Sequence, residues 1–399
     1  MSSDRGIVIA GGGLAAQRCA ETLRRRGFDG RLTIVCGEPE LPYDRPPLSK
    51  GVLAGTTGDG VHFRDAAWYE DNAVELLLGR RAEALDPGER CLTVDRGERL
   101  PYSELLIATG AAPRTLPQLA GFSNVHALRT LGDARALGSE LGPGARLTIV
   151  GAGFIGQEVA ASAIALGAEV TLLEALPLPL AGLLGEPVGR WLAGLHEEEG
   201  VRVKLDAQLT GARGNGRVEE LTLGDGTAIG CDVVVAGVGV QPAAGWLAGS
   251  GIDPAAVLVD AAGRTAVPHV YAAGDVCRAF DTVRGVHTRT EHWDAASRQG
   301  TNVALAMLGD EPAPHVMPSF WSDQHGVRIQ YVGHAEDADR HVIDGDPAQR
   351  DFTVLYSRGE IPVAGLAVGR PRELIAMRRL IEAARRGQPA NEPAIEPTT

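Results

Sequence analysis

Residues 7–16, IVIAGGGLAA, and residues 147–156, LTIVGAGFIG, decide how this chain folds. In each, a short apolar run passes straight into a cluster of glycines that opens a helical pattern. The first helix is expected through Leu23, and a strand from Leu32 to Cys36 then leads to Glu38. The second is expected through Leu166, and a strand from Glu169 to Leu173 ends at Glu174. Strand, glycine turn, helix, strand and an acid about 20 residues on is the layout of a dinucleotide-binding βαβ unit. The first glycine permits a tight turn, the second lets backbone N–H groups approach a pyrophosphate, and the third lets helix pack on strand. Phosphates sit at the helix start, where unpaired N–H groups and the helix dipole favour negative charge. The acid accepts hydrogen bonds from ribose hydroxyls. The first copy carries Ala16 at its third glycine position, a tolerated variant.

Between the units lies LPYDRPPLSK, residues 41–50, too proline-rich for a helix interior. Leu105 to Ala108 reads as a strand ending in Thr109-Gly110. Asp232 to Gly237 repeats that strand–glycine form, and Val270 to Asp275 follows. The second unit is therefore expected to be inserted into the first. From Pro312 the composition changes: Val327–Val332, Phe352–Tyr356 and Pro362–Val368 read as short strands before a helix from Glu373 to Arg386. The expected division is residues 1–112 and 233–311 for the first nucleotide domain and 113–232 for the second. Residues 312–399 form an α+β domain whose last stretch, GQPANEPAIEPTT, is read as a disordered tail.

Composition narrows the function. The 399 residues include 52 glycines, which exceeds the ~7% of average usage and suits many tight turns and close approaches to a ligand. A net charge of −13 argues against wholesale binding to nucleic acid or anionic membrane, and leaves room for a local basic patch facing an acidic protein. The start, MSSDRGIVIAGGG, enters a strand with no leader pattern, and the apolar-rich stretch from Val159 to Gly185 is cut by Glu169, Glu174, Pro177 and Pro179. The expectation is a soluble, cytoplasmic protein. Cys19, Cys36, Cys91, Cys231 and Cys277 are isolated, so a redox dithiol, a zinc site and an iron–sulfur cluster lack their usual spacing, and no metal is expected. Two dinucleotide sites without cluster cysteines suggest one tightly held flavin and one exchangeable nicotinamide. A flavin accepts hydride and can release electrons singly, which nicotinamide cannot.

LPYDRPPLSK, ATGAAPR, GAGFIGQEVA, VVVAGVGVQP, VYAAGDV, EHWDAASRQG and FWSDQ, in this order, are far more specific than either glycine motif. With them the chain resembles, from about Gly6 to about Leu380, the FAD-dependent ferredoxin reductases of bacterial oxygenase systems. The resemblance implies an α/β fold like that of glutathione reductase, with two Rossmann-like domains and a C-terminal α+β domain. It places Gly11, Gly13 and Ala16 at the FAD pyrophosphate and Glu38 at its adenosine ribose, with Leu14 and Ala15 also cofactor-binding. Arg45 and Lys50 fall on the flavin side, with Ala108, Thr109, Gly110 and Arg129 completing the FAD-binding set. Asp275 meets the ribityl or pyrophosphate region, Trp293 and Trp321 lie near the isoalloxazine or nicotinamide, and Gly274, Glu291 and His292 are further cofactor-binding residues. Gly151, Gly153 and Gly156 hold the pyrophosphate of NADH, and Phe154, Ile155, Gly237, Val238 and Gly239 are further cofactor-binding residues. The resemblance brings Lys50 and Glu158 together near flavin N5 as a catalytic pair; read as single residues outside these motifs, they favour a surface lysine and a helix-face glutamate.

Glu174 ends its strand where a carboxylate binds ribose hydroxyls and repels a 2′-phosphate, and ALPLPLAGLLG after it has no Arg or Lys. Relatives often carry a basic residue near Leu178, so this chain departs toward NADH. Ser319 stands where an aromatic is common, which predicts a more open flavin wall, and Gly369 stands where an asparagine is common, which predicts a changed turn. His287, His292 and His325 have no metal-ligand spacing, and His292 fits either a site-lining or a structural role. Arg370, Arg372, Arg378 and Arg379 fit either a ferredoxin patch or a solvated helix face. The expected activity is an NADH-dependent reductase passing single electrons to a small, two-iron ferredoxin that supplies a cytochrome P450 or Rieske-type oxygenase. Three other readings stay open: an NADH oxidase or quinone reductase, a reductase of a small organic radical, and a redox-sensing interaction protein resembling apoptosis-inducing factor. Disulfide reduction is disfavoured because no cysteine pair follows the first glycine turn.

Overall fold

Ile7, Val8, Ile9 and Ala10 are all buried, and the reason is their place at the centre of a parallel sheet. The strand Gly6–Ala10 lies between Leu32–Cys36 and Glu98–Ile107, with Val74–Leu78 beyond the first neighbour and Val270–Ala272 beside Leu105–Ile107. Both faces of such a sheet are covered, so the strand reads as an unbroken apolar run without alternation. The other half of Glu98–Ile107 turns into an antiparallel meander with Cys91–Val94 and Ala82–Asp86. The computed structural model describes residues 6–58, 60–313 and 317–385.

Helices Leu14–Arg25 and Trp293–Met307 cover one face of the sheet. They cross with almost no space between backbones, since a Cβ on Gly300 would stand 2.2 Å from the Ala15 carbonyl oxygen. Leu23, fully buried in this layer, alone contributes ~1.5–3 kcal/mol of burial.

The second sheet repeats the plan. Arg146–Val150 is flanked by Glu169–Leu173 and Val233–Ala236, with Arg202–Lys204 and Val125–His126 at the edges, all parallel. This corrects one expected border, because Val233–Ala236 belongs to the second sheet and not to the first domain. The glycine contacts give the reason. A Cβ on Gly11 would meet the Ala108 carbonyl oxygen at 2.1 Å, and one on Gly151 would meet the Gly237 carbonyl oxygen at 2.5 Å. Each central strand thus carries the same strand–glycine neighbour, and sequence alone shows the repeat without assigning it to a sheet. The insertion is bounded instead by a two-stranded ribbon, Ala111–Pro113 running antiparallel to Val240–Pro242.

The C-terminal part is a five-stranded antiparallel sheet in the order Ser319–Gln324, Val327–Gly333, Ile361–Val368, Asp351–Arg358, Arg340–Asp346. Helix Pro371–Arg385 packs Met377 against Gly365 on one face. On the other, Leu184, Val188 and Leu192 of the second unit meet Ile329, Tyr331 and Phe352. Two of these strands escape sequence reading. Arg340–Asp346 is exposed along its whole length and shows no apolar alternation, while Ser319–Gln324 mixes aromatic and polar residues. Gly369 has φ +71° and makes the turn from the last strand into the helix. The expected tail and Arg386 lie outside the described residues. No helix among the described residues is long and apolar enough to cross a membrane.

Candidate functional site

Gly13 and Gly153 cap the starts of Leu14–Arg25 and Phe154–Ala165, and neither helix start has a side-chain cap. The first-turn N–H groups are therefore left for an outside acceptor. A Cβ added at either glycine would meet nothing within 4 Å, so both starts stand open, and both line one cavity of about 460 Å³. Gly11 and Gly151 have φ +129° and +105°, which permits the turn that brings each helix start to the cavity. A Cβ on Gly156 would lie 2.1 Å from the Gly151 carbonyl oxygen, so the second helix sits tightly on its turn. Ala16 fills the corresponding place in the first helix with a methyl group buried in the core.

Lys50 and Glu158 meet in the wall of this cavity. Pro46 opens a short 3-10 helix, Pro46–Ser49, and Lys50 ends it. Glu158 projects from the first turns of Phe154–Ala165. Lys50 Nζ lies 2.7 Å from Glu158 Oε2, with the lysine 24% and the glutamate 5% exposed. Ser49 Oγ donates to the same oxygen at 2.5 Å, and Ser322 Oγ donates to Oε1 at 2.7 Å. Lys50 Nζ also donates to the Pro46 carbonyl at 3.2 Å. Ser162 Oγ ties down the loop by donating to the Ser49 carbonyl at 2.6 Å.

Around the first helix start, Arg45 Nη2 pairs with Glu38 at 2.7 Å, and Tyr43 donates a short hydrogen bond to the same carboxylate. Arg45 also donates to the Arg129 carbonyl, and the Arg129 guanidinium pairs with Asp275 at 3.1 Å. Trp293 Nε1 donates to Asp44 Oδ1 at 2.7 Å, and the Trp293 and Trp321 rings stand 6.0 Å apart, edge to face. Burial raises the Asp44 pKa, opposed by that indole hydrogen bond. Burial also raises Glu291, opposed by Arg289, its ion-pair partner at 2.7 Å. His292 is pushed down to about 4 by burial, and its buried Nδ1 finds no hydrogen-bond partner among the described residues. That orphaned atom, in the wall of a cavity with two open helix starts, fits a bound polar molecule.

Most expected residues come together here. Gly13, Leu14, Ala15, Arg45, Lys50, Ala108, Gly110, Arg129, Gly153, Phe154, Ile155, Glu158, Gly237, Gly239, Gly274, Asp275, Glu291, His292, Trp293 and Trp321 all line the cavity. Gly11, Ala16, Glu38, Thr109, Gly151, Gly156, Glu174 and Val238 are not among its lining residues. Thr109 Oγ1 donates to the Ala243 carbonyl at 2.7 Å, while Glu174 Oε2 accepts from the Ala152 N–H at 2.9 Å at the second glycine turn. Ser319 is not among the lining residues, and its hydroxyl donates to Asp294 at 2.9 Å. Sequence reasoning assigned no role to Ser49, Asp44, Phe320 or Ser322. All four stand inside motifs it had quoted, or at their edges, and nothing in a motif says where a side chain points.

The pyridine nucleotide-disulphide oxidoreductase model matches residues 5–300, and the reductase C-terminal model matches residues 319–395. The anthranilate 1,2-dioxygenase system ferredoxin–NAD(+) reductase component of Burkholderia cepacia is 40% identical over 392 residues, which cover 96% of this chain and 95% of that protein. The reductase in the covalent putidaredoxin reductase–putidaredoxin complex superposes with a TM-score of 0.93 at 31% identity, covering 96% of this chain and 94% of that one. The ferredoxin reductase for the CYP199A2 system from Rhodopseudomonas palustris gives 0.87 at 33% identity, covering 91% of each chain. With two open helix starts on one cavity and matches along nearly its whole length, the chain belongs to the pyridine nucleotide-disulphide oxidoreductase family, among the ferredoxin reductases of oxygenase systems.

Proposed function

We propose that the cavity takes FAD along the first helix start and NADH along the second, and that the chain is an NADH-dependent reductase of a small two-iron ferredoxin. That ferredoxin would supply a cytochrome P450 or a Rieske-type oxygenase. The observation that carries this reading is two uncapped helix starts, from two different units, opening on one cavity with the Lys50–Glu158 pair in its wall. The donor set fits both molecules: open glycine turns for pyrophosphate, Arg45 and Arg129 for charge, flat Trp293 and Trp321 walls, and the unpartnered His292 Nδ1. When bound, the nicotinamide supplies a hydride, and the flavin accepts it and releases electrons singly.

Lys50 provides a fixed cation in a poorly solvated wall, where it stabilises developing negative charge more strongly than water does. Glu158 holds that ammonium in place, with both of its own oxygens engaged. Glu174, fixed at the second glycine turn beside the exposed Leu176, disfavours a 2′-phosphate, and no Arg or Lys follows through Gly185. The relatives' names support ferredoxin as the acceptor class.

The test is to record the visible spectrum of the purified protein and add NADH, then NADPH, without oxygen, followed by putidaredoxin as acceptor. A yellow protein bleached by NADH at least about tenfold faster than by NADPH, then reoxidised by the ferredoxin, is expected. A colourless protein, or a flavin that neither nucleotide reduces, overturns the enzyme reading. Reoxidation by oxygen or a quinone but by no ferredoxin overturns the acceptor.

A further inference from the structure

A row of hydrogen bonds runs from Glu158 through the interior to the surface. Ser322 Oγ lies 2.7 Å from Glu158 Oε1, and Gln324 Nε2 lies 3.1 Å from Ser322 Oγ. Gln324 Oε1 faces His196 Nε2 at 3.1 Å, and His196 Nδ1 faces His325 Nε2 at 2.9 Å. Glu158, Ser322, Gln324 and His196 are all buried, and the row ends at half-buried His325. Ser322 and Gln324 are two apart on the strand Ser319–Gln324, so they share a face and carry the row along it. His325 turns the hairpin with φ +49°, followed by Gly326 at +74°, a backbone that ordinarily selects Asn or Gly. The chain accepts a disfavoured residue there, and its imidazole closes the row.

The direction of every bond follows from the carboxylate. Glu158 can only accept, so Ser322 donates to it and accepts from the Gln324 amide. Gln324 Oε1 must then accept from His196 Nε2–H. A neutral His196 has a bare Nδ1, which accepts from His325 Nε2–H. Both rings are neutral near pH 7: burial takes His196 down to about 4, with His325 beside it adding to the effect, and burial lowers His325 as well. Glu199 faces both rings, and Arg350, paired with Glu198 and Glu199, faces His325.

We infer that the charge on Glu158 sets the polarity of this row, and that Ser322, Gln324, His196 and His325 are positioning residues acting on Lys50 through Glu158. The role of Lys50 in this inference rests on the proposed reductase function; the polarity does not. Glu158→Gln tests it sharply. Lys50 is a donor only, so the carbonyl of the introduced amide must face it, and the NH2 of that amide must face Ser322. Ser322 then donates toward Gln324, Gln324 turns over, and both histidines move their proton from Nε2 to Nδ1.

The experiment is NMR of the holoenzyme with 15N-labelled histidine rings, with no NADH present. In the parent protein, protons on Nε2 of His196 and His325 are expected, with transfer to Nδ1 of both in Glu158→Gln. Ser322→Ala cuts the row, so Ser322→Ala and the Ser322→Ala, Glu158→Gln double variant should give the same His196 signal. A His196 that keeps its Nε2 proton in Glu158→Gln, or that differs between those last two proteins, overturns the inference. A second readout is flavin bleaching by NADH, expected to slow about tenfold in Ser322→Ala with flavin content unchanged, and to recover in Ser322→Thr. An undiminished rate in Ser322→Ala removes the positioning role. A holoenzyme inert to NADH would count against the proposed function and leave the tautomer result standing.

Discussion

At Lys50 a single side chain carries both a stability cost and a rate. Lys50→Met keeps most of the stem and removes the ammonium, leaving a buried Glu158 carboxylate to the hydroxyls of Ser49 and Ser322. Breaking a fully buried pair costs about 3–5 kcal/mol. The cost here is smaller, because Lys50 is 24% exposed and two hydroxyls remain. The expected outcome in stopped flow is flavin bleaching by NADH about 100-fold slower, with flavin content maintained; equal rates would remove Lys50 from the chemistry. Lys50 and Glu158 were legible as a pair through the family resemblance that their motifs carry, and not from the residues alone. Ser49, in the same motif as Lys50, and Ser322, in FWSDQ, were not, since the partner of a hydroxyl depends on where distant strands cross. The Trp293–Asp44 bond spans 249 residues and leaves no local pattern at all.

Between elements, glycine positions separate packing from binding. Gly300→Ala puts a methyl group against the Ala15 carbonyl and forces Leu14–Arg25 and Trp293–Met307 apart. A loss of about 1–3 kcal/mol is expected, read as a lower unfolding midpoint in denaturant. Gly13→Ala has ordinary φ −86° and open space for its Cβ, so the fold should tolerate it while flavin retention falls. If both variants lose stability equally, Gly13 is a packing residue and the open helix start has been misread. The βαβ units could be read almost to the residue, as with Leu32–Cys36 and Glu169–Leu173, because buried parallel strands leave continuous apolar runs. Val233–Ala236 was recognised as a strand, yet its sheet was not, since pairing is a long-range choice between two similar apolar edges. Arg340–Asp346 pairs only with Asp351–Arg358 and buries nothing, so hydrophobic periodicity had nothing to report.

Across the whole molecule, the net charge of −13 makes any basic surface conspicuous. Arg370 drops out of the proposed ferredoxin patch, because it is already paired with Asp344 at 2.9 Å and Asp351 at 2.8 Å. Arg372 and Arg379 remain exposed on helix Pro371–Arg385, close in sequence to Ile375 and Leu380, which are 54% and 50% exposed. Replacing Arg372 and Arg379 by Glu should raise the apparent ferredoxin KM about tenfold at low salt and leave ferricyanide reduction unchanged. Added salt should narrow the difference. An unaltered KM would place the acceptor elsewhere.

The ribbon of Ala111–Pro113 and Val240–Pro242 has a mechanical consequence. It joins the two nucleotide units by paired crossings, each with a proline of fixed φ. A second tie is the loop carrying Lys50, whose Leu48 and Val52 pack on Leu131 and Ala134 of the second unit. The Lys50–Glu158 pair is the third. Three ties beside the cavity brace the two units against a hinge motion. A molecule that comes and goes at the second helix start is then expected to pass Ile155, which lines the cavity and is 48% exposed, with no swing of the two units.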